Sequence, residues 1–102
     1  MAHYNWSRME VSTGGTGNLT VAAVSGYPTI DQTAGTGNPF WYAITDAAGR
    51  PIESGTGQLS DGTTMVRTTP HETFVSGTYD NSTPAAADIP AGSLVHTSLM
   101  NF

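Results

Sequence analysis

Glycine-centred turn signals meter this chain, and between them no segment sustains a helical 3.6-residue period. Gly15-Thr16-Gly17-Asn18, Gly35-Thr36-Gly37-Asn38 and Gly55-Thr56-Gly57-Gln58 stand at 20-residue intervals. Glycine reaches φ > 0 without steric cost, so each copy interrupts regular structure. An apolar run rich in β-formers follows the first two copies at once. Short strands bounded by turns are the pattern of an all-β chain.

The alternation of side chains places the strands. Met9–Thr13 and Leu19–Val24 read as a hairpin joined through the first glycine copy. Thr29–Pro39 reads as a loop with room for one helical turn. In Phe40–Asp46, Phe40, Tyr42 and Ile44 share one face, with Trp41, Ala43 and Thr45 on the other. Pro51–Leu59 is its partner, interrupted by Gly55 and Gly57. Asp61-Gly62 signals the next turn. Thr63–Thr69 returns with Met65 and Arg67 on one face, and Pro70 is expected to end it. His71–Ala91 reads as a long loop with a short strand at Thr73–Val75, and Ser93–Met100 is the last strand. The expected fold is all-β: a compact antiparallel β-sandwich or small barrel of about six or seven short strands. Residues 1–7 are expected to form an extended arm carrying Tyr4 and Trp6, and 8–102 a single β-sandwich-like domain. The glycine spacing does not predict a solenoid, because the residues flanking the three copies are not equivalent.

Charge narrows the function. Only 11% of the 102 residues are charged, against about 25% in an average soluble protein. There is no lysine, the basic residues are Arg8, Arg50 and Arg67, and the net charge is −5. That balance speaks against nucleic acid and anionic membranes as partners. A hydroxyl-rich, weakly charged surface can instead pack on protein without desolvating many ions. No run is long and apolar enough to span a bilayer. The first residues lack the basic-then-apolar order of a secretory signal, so none is expected.

Chemical motifs are sparse. Cysteine is absent, which excludes disulfides and thiolate chemistry. Gly-Thr-Gly lacks the third glycine and the helix of a dinucleotide fingerprint. His3, His71 and His96 have no ligand spacing, so neither a metal nor another cofactor is expected. Asp46 and Asp61 fit turn chemistry, and Glu53 can pair with Arg67 on the adjacent strand. No nucleophile elbow is present, and the expectation is a non-enzyme. Exposed rings among Trp6, Trp41 and Tyr27 would suit a carbohydrate-binding module, although a domain this small needs Trp41, Phe40 and Tyr42 for its core.

One order of elements is distinctive. It runs Arg8-x-Glu10, Gly15-Thr16-Gly17, Leu19-Thr20-Val21, Val24-Ser25-Gly26-Tyr27 and Trp41-Tyr42-Ala43-Ile44-x-Asp46. It continues through Glu53-Ser54-Gly55-Thr56-Gly57 and Val66-Arg67-Thr68-Thr69 to Ile89-Pro90-Ala91-Gly92-Ser93. From residue 8 to about 97 this resembles a small all-β module of tailed bacteriophages, found as a free-standing virion protein and within tail-fibre-like proteins. Its most distinctive part is Glu53, Gly55 and Gly57 followed by the strand ending Arg67-Thr68-Thr69. The Pro/Ala-rich segment between His71 and Asp88 departs from the pattern.

The resemblance implies a virion structural part, made in the bacterial host cytoplasm. The expected role is an adaptor or anchor on the tail apparatus for fibres or spikes. A capsid decoration protein is the alternative within that class, and a carbohydrate-binding module the alternative outside it. Expected partners are tail, fibre or spike subunits, or capsid protein, and copies of itself. Tyr4 and Trp6 on the arm, with His71, Glu72 and Tyr79 beyond Pro70, are the candidate contact residues.

Overall fold

Alternating burial along each segment is what closes this chain on itself. The computed structural model describes residues 7–99; Tyr4 and Trp6, the aromatics of the expected arm, lie outside them. Seven strands form: β1 (Arg8–Thr13), β2 (Leu19–Ala23), β3 (Phe40–Thr45), β4 (Pro51–Leu59), β5 (Thr64–Val75), β6 (Thr78–Asp80) and β7 (Leu94–Leu99). One short helix, α1 (Ile30–Thr33), interrupts the β2–β3 connection.

Six strands close into an antiparallel barrel in the order β1-β2-β5-β4-β3-β7, and β7 pairs back onto β1. The closing contact is short: Leu19 faces Met65 and Thr20 faces Thr64. β6 hangs on the free edge of β5 as a seventh strand. A barrel this narrow is filled by its own side chains. Val11, Leu19, Phe40, Ile44, Leu59, Met65 and Val95 supply that filling and are buried.

Each open end has a cover. At the end where β3 starts and β4 finishes, α1 inserts Ile30, which is fully buried. Thr29 caps α1 in a reciprocal box with Gln32, satisfying amides that the helix leaves free. At the other end the 84–90 segment crosses the mouth. Ala87 and Ile89 are buried there, and Ile89 exchanges backbone hydrogen bonds with Gly15 at 2.9 and 3.0 Å.

Two expectations are corrected. Pro70 does not end β5, which continues to Val75. The pairing with β4 skips Thr68 and then His71, so β5 carries two extra residues. Pro70 lies between these bulges, where the ladder is already broken and a missing N–H is tolerated. The expected loop from His71 therefore starts as strand. It then turns through Ser76 (φ 52°) and Gly77 (φ 79°) into β6, and two successive positive φ values match the twist of a tight hairpin. Trp41 is the second correction. It points outward and is 43% exposed, while its neighbours Phe40 and Tyr42 are buried. Strand parity, not ring size, decides its side.

Candidate functional site

Two polar clusters stand out, one inside the barrel and one on its outer wall. The inner one is built from the residues that carry the distinctive motif. Glu53 and Arg67 lie on neighbouring strands but not opposite one another, since Gly57 faces Arg67 and Thr73 faces Glu53. The guanidinium reaches back along β4 past Gly55 to the carboxylate. Gly55 and Gly57 let the β5 backbone and the Tyr42 side chain approach β4 closely. A Cβ on Gly55 would stand 2.3 Å from the Thr69 carbonyl and 2.9 Å from the Tyr42 hydroxyl. One on Gly57 would stand 2.5 Å from the Val66 carbonyl.

Every link in the cluster is short. Arg67 Nη1 donates to Glu53 Oε1 at 3.0 Å and to the Ala87 carbonyl at 2.9 Å. Its Nη2 donates to the carbonyls of Gly15 and Gly17, both at 2.9 Å. Glu53 also accepts from the Ala87 amide at 2.7 Å and from the Tyr42 hydroxyl at 2.6 Å. Burial first, and then the bond to Glu53, push the Tyr42 phenol far above its ordinary range. The side chains of Arg67 and Glu53 are 2% and 0% exposed. A solute therefore has no access to them, and the chemistry they perform is mutual satisfaction. They pin the first glycine turn and the 84–90 segment to the barrel wall.

The outer cluster follows one row across five strands. Arg8, His96, Ala43, Ser54 and Glu72 are successive cross-strand partners from β1 to β5. Ala43 and Ser54 are the small members and form the floor of a trough. On one side a groove of ≈ 380 Å³ runs between Trp41 and His96. On the other, a groove of ≈ 380 Å³ is bounded by Ile52, Phe74 and Tyr79. Glu72 is held between them, accepting from Ser54 Oγ and from the Tyr79 hydroxyl, each at 2.7 Å. The Tyr79 hydroxyl, then Ser54, then the nearby His71 charge hold its carboxyl below the usual range, so it is ionised near neutrality. The same bond to Glu72 raises the Tyr79 phenol.

His71, Glu72 and Tyr79 are thus brought together, on strands and not on the loop expected for them. The bulge at His71 turns its ring against Trp41, with centroids 5.2 Å apart and planes at 51°. Trp41, a candidate ring for carbohydrate binding, and Phe74, which the sequence reading did not single out, belong to the same face. The parity of Phe40-Trp41-Tyr42 identifies Trp41 as outward. The dipeptide Ser76-Gly77, flanked by Phe74-Val75 and Thr78-Tyr79, signals the hairpin that brings Tyr79 over Glu72. Tyr27 stacks on Arg8 at the β1 end of the row, 4.4 Å from its guanidinium carbon. Asp46 and Asp61 serve turns as expected, each accepting from backbone amides of its own turn. Among the described residues no three metal-ligating side chains converge. No protein-family model matches the chain, and neither a curated protein nor a solved structure matches it, so the two clusters are read from their own geometry.

Proposed function

We propose that the protein is a non-enzymatic structural component of a tailed-phage virion, an adaptor or anchor on the tail apparatus. The observation that carries this reading is the β5–β6 hairpin. It extends beyond the closed barrel and leaves Phe74, Val75 and Tyr79 45%, 46% and 57% exposed. Three large apolar side chains at one projecting edge suit burial against another protein. The sparse charge of the surface supports the same use, since few ions need desolvation on docking. The inner cluster also supports it. Glu53, Gly55, Gly57 and Arg67, on which the phage resemblance rests, serve to hold the barrel together, as a shared scaffold motif would.

Two contacts follow from the reading: the arm with Tyr4 and Trp6, and the hairpin. Its test is quantitative mass spectrometry of purified virions, with the wild-type chain and with chains lacking residues 1–7 or carrying Val75→Asp. A low copy number that falls further in both variants, each still folded by circular dichroism, is the expected result. A copy number close to that of the major capsid protein would place the chain on the shell instead. Absence of the wild-type chain from virions would overturn the reading.

A further inference from the structure

The outer trough is built for more than protein packing. We infer that the face formed by Trp41, Ala43, Ser54, Glu72, Phe74 and Tyr79 is a binding site for a neutral oligosaccharide. The inference rests on the trough alone and not on the virion reading.

Three properties of the face select that ligand class. First, its aromatic rings are both exposed and fixed. Trp41 leaves a barrel strand against the His71 ring, and Tyr79 is tethered through its hydroxyl to Glu72. An oriented ring in water offers a flat apolar surface with a negative π face. The axial C–H groups of a pyranose, weakly positive and apolar, are complementary to it.

Second, the polar groups are preorganised as acceptors. A carboxylate has about four lone-pair sites, and Ser54 and Tyr79 occupy two of those on Glu72. The remaining sites can accept from a vicinal pair of sugar hydroxyls. Because Glu72 is already oriented, little is lost in fixing it on binding.

Third, the alternatives fit less well. An anionic ligand would meet Glu72 on a chain of net charge −5 with no lysine, and the one arginine in the row, Arg8, is engaged with the Tyr27 ring. An extended peptide would need a free strand edge for its backbone, and the trough lies across the middle of the paired strands β3, β4 and β5. The small floor at Ala43 and Ser54 with a groove on each side gives a ligand depth along the row. Each groove lies in the size range of small-molecule sites, about 300–1,000 Å³.

The experiment is a titration of the full chain with maltotriose, cellotriose and chitotriose, and with sialyllactose as the anionic control. It is read by tryptophan fluorescence and by saturation-transfer NMR. Saturable binding of at least one neutral trisaccharide, without binding of sialyllactose, is expected. Trp41→Ala and Glu72→Gln each weaken it about ten-fold or more, the scale of losing one well-placed contact. Gly62→Ala, which lies in neither groove and whose added Cβ meets nothing within 4 Å, leaves it unchanged. The inference is overturned if no neutral trisaccharide binds at about 10 mM, a level beyond millimolar affinity, or if the Trp41 and Glu72 variants bind as well as wild type. Sugar binding lost in Trp41→Ala while virion incorporation persists would separate the Trp41 end of this site from the hairpin contact, with which it shares Phe74 and Tyr79. Incorporation lost in Trp41→Ala with no sugar bound by wild type would make the face a protein interface and sink the inference.

Discussion

Two arginine–carboxylate pairs are anchored on the β3–β4 hairpin and its neighbour, and their lengths are almost equal. Arg50 Nε lies 2.9 Å from Asp46, and Arg67 Nη1 lies 3.0 Å from Glu53. The first pair is 80% and 28% exposed, the second 2% and 0%. Distance therefore says nothing about their difference, which lies in what surrounds them. Water screens Arg50 and Asp46 and would hydrate either partner left alone. Arg67 and Glu53 are cut off from water, and their remaining polar capacity is met by three backbone carbonyls, one amide and the Tyr42 hydroxyl. The outer pair closes a turn and is replaceable. The inner pair does little for stability as a pair, but removing one member strands the other.

Substitutions can break this comparison, starting with the most severe. Arg67→Met should cost about 3–5 kcal/mol, because it leaves a buried carboxylate and takes the side-chain donor from the Ala87 and Gly17 carbonyls, while Gly15 keeps its bond from the Ile89 amide. Urea unfolding followed by circular dichroism measures it. A loss no larger than that of an exposed substitution would mean that water reaches the cluster. Gly55→Ala should cost about 3 kcal/mol by forcing β4 away from the β5 backbone at Thr69 and Pro70 and from the Tyr42 hydroxyl. Alanine at Gly62, where an added Cβ meets nothing within 4 Å, supplies the matched control.

Tyr42→Phe should cost about 2 kcal/mol for a lost bond to a charged acceptor, and it sharpens the comparison through pH. The folded phenol titrates above its ordinary value of 10.0. The stabilisation that depends on its proton is therefore complete below that value and declines as pH rises beyond it. Wild type should lose stability in the alkaline range, and Tyr42→Phe should flatten that limb. An unchanged alkaline limb in the variant would remove Tyr42 from the account. Arg50→Ala should leave the urea midpoint unchanged within error at both low and high salt. A marked shift would show that the turn depends on its ion pair and not on the Asp46 bonds to the Ala48 and Arg50 amides.

How much of this could be read in advance differs between the clusters. Glu53 and Arg67 were legible as partners, because both point inward on adjacent strands. Their burial was not, since it depends on β2 closing onto β5 and on the 84–90 segment crossing the mouth. Those contacts join residues far apart in sequence. On the outer wall, alternation along β3 already placed Trp41 outside. The supposed demand of a small core for large rings argued the other way, and parity prevailed. Pro70 was misread because a proline normally closes a strand, and only the three-dimensional pairing reveals the bulges on either side of it. The β5–β6 hairpin was hidden by the Pro/Ala-rich residues that follow, although Ser76-Gly77 was in plain view.

Barrel closure has a consequence for crowding. In the ring of six, every strand has a neighbour on both sides, so little of the ladder is left for other chains to extend. Among the described strands, β6 keeps an open side, and on β5 the residues between Met65, the last to pair with β2, and Thr73, the first to pair with β6, have no strand beyond them. Copies held at high local density therefore have few edges through which to merge into a shared sheet. Whatever they join must recognise side chains. Among the described strands, the β5–β6 hairpin and the uncovered stretch of β5 beside it are edges open to strand addition.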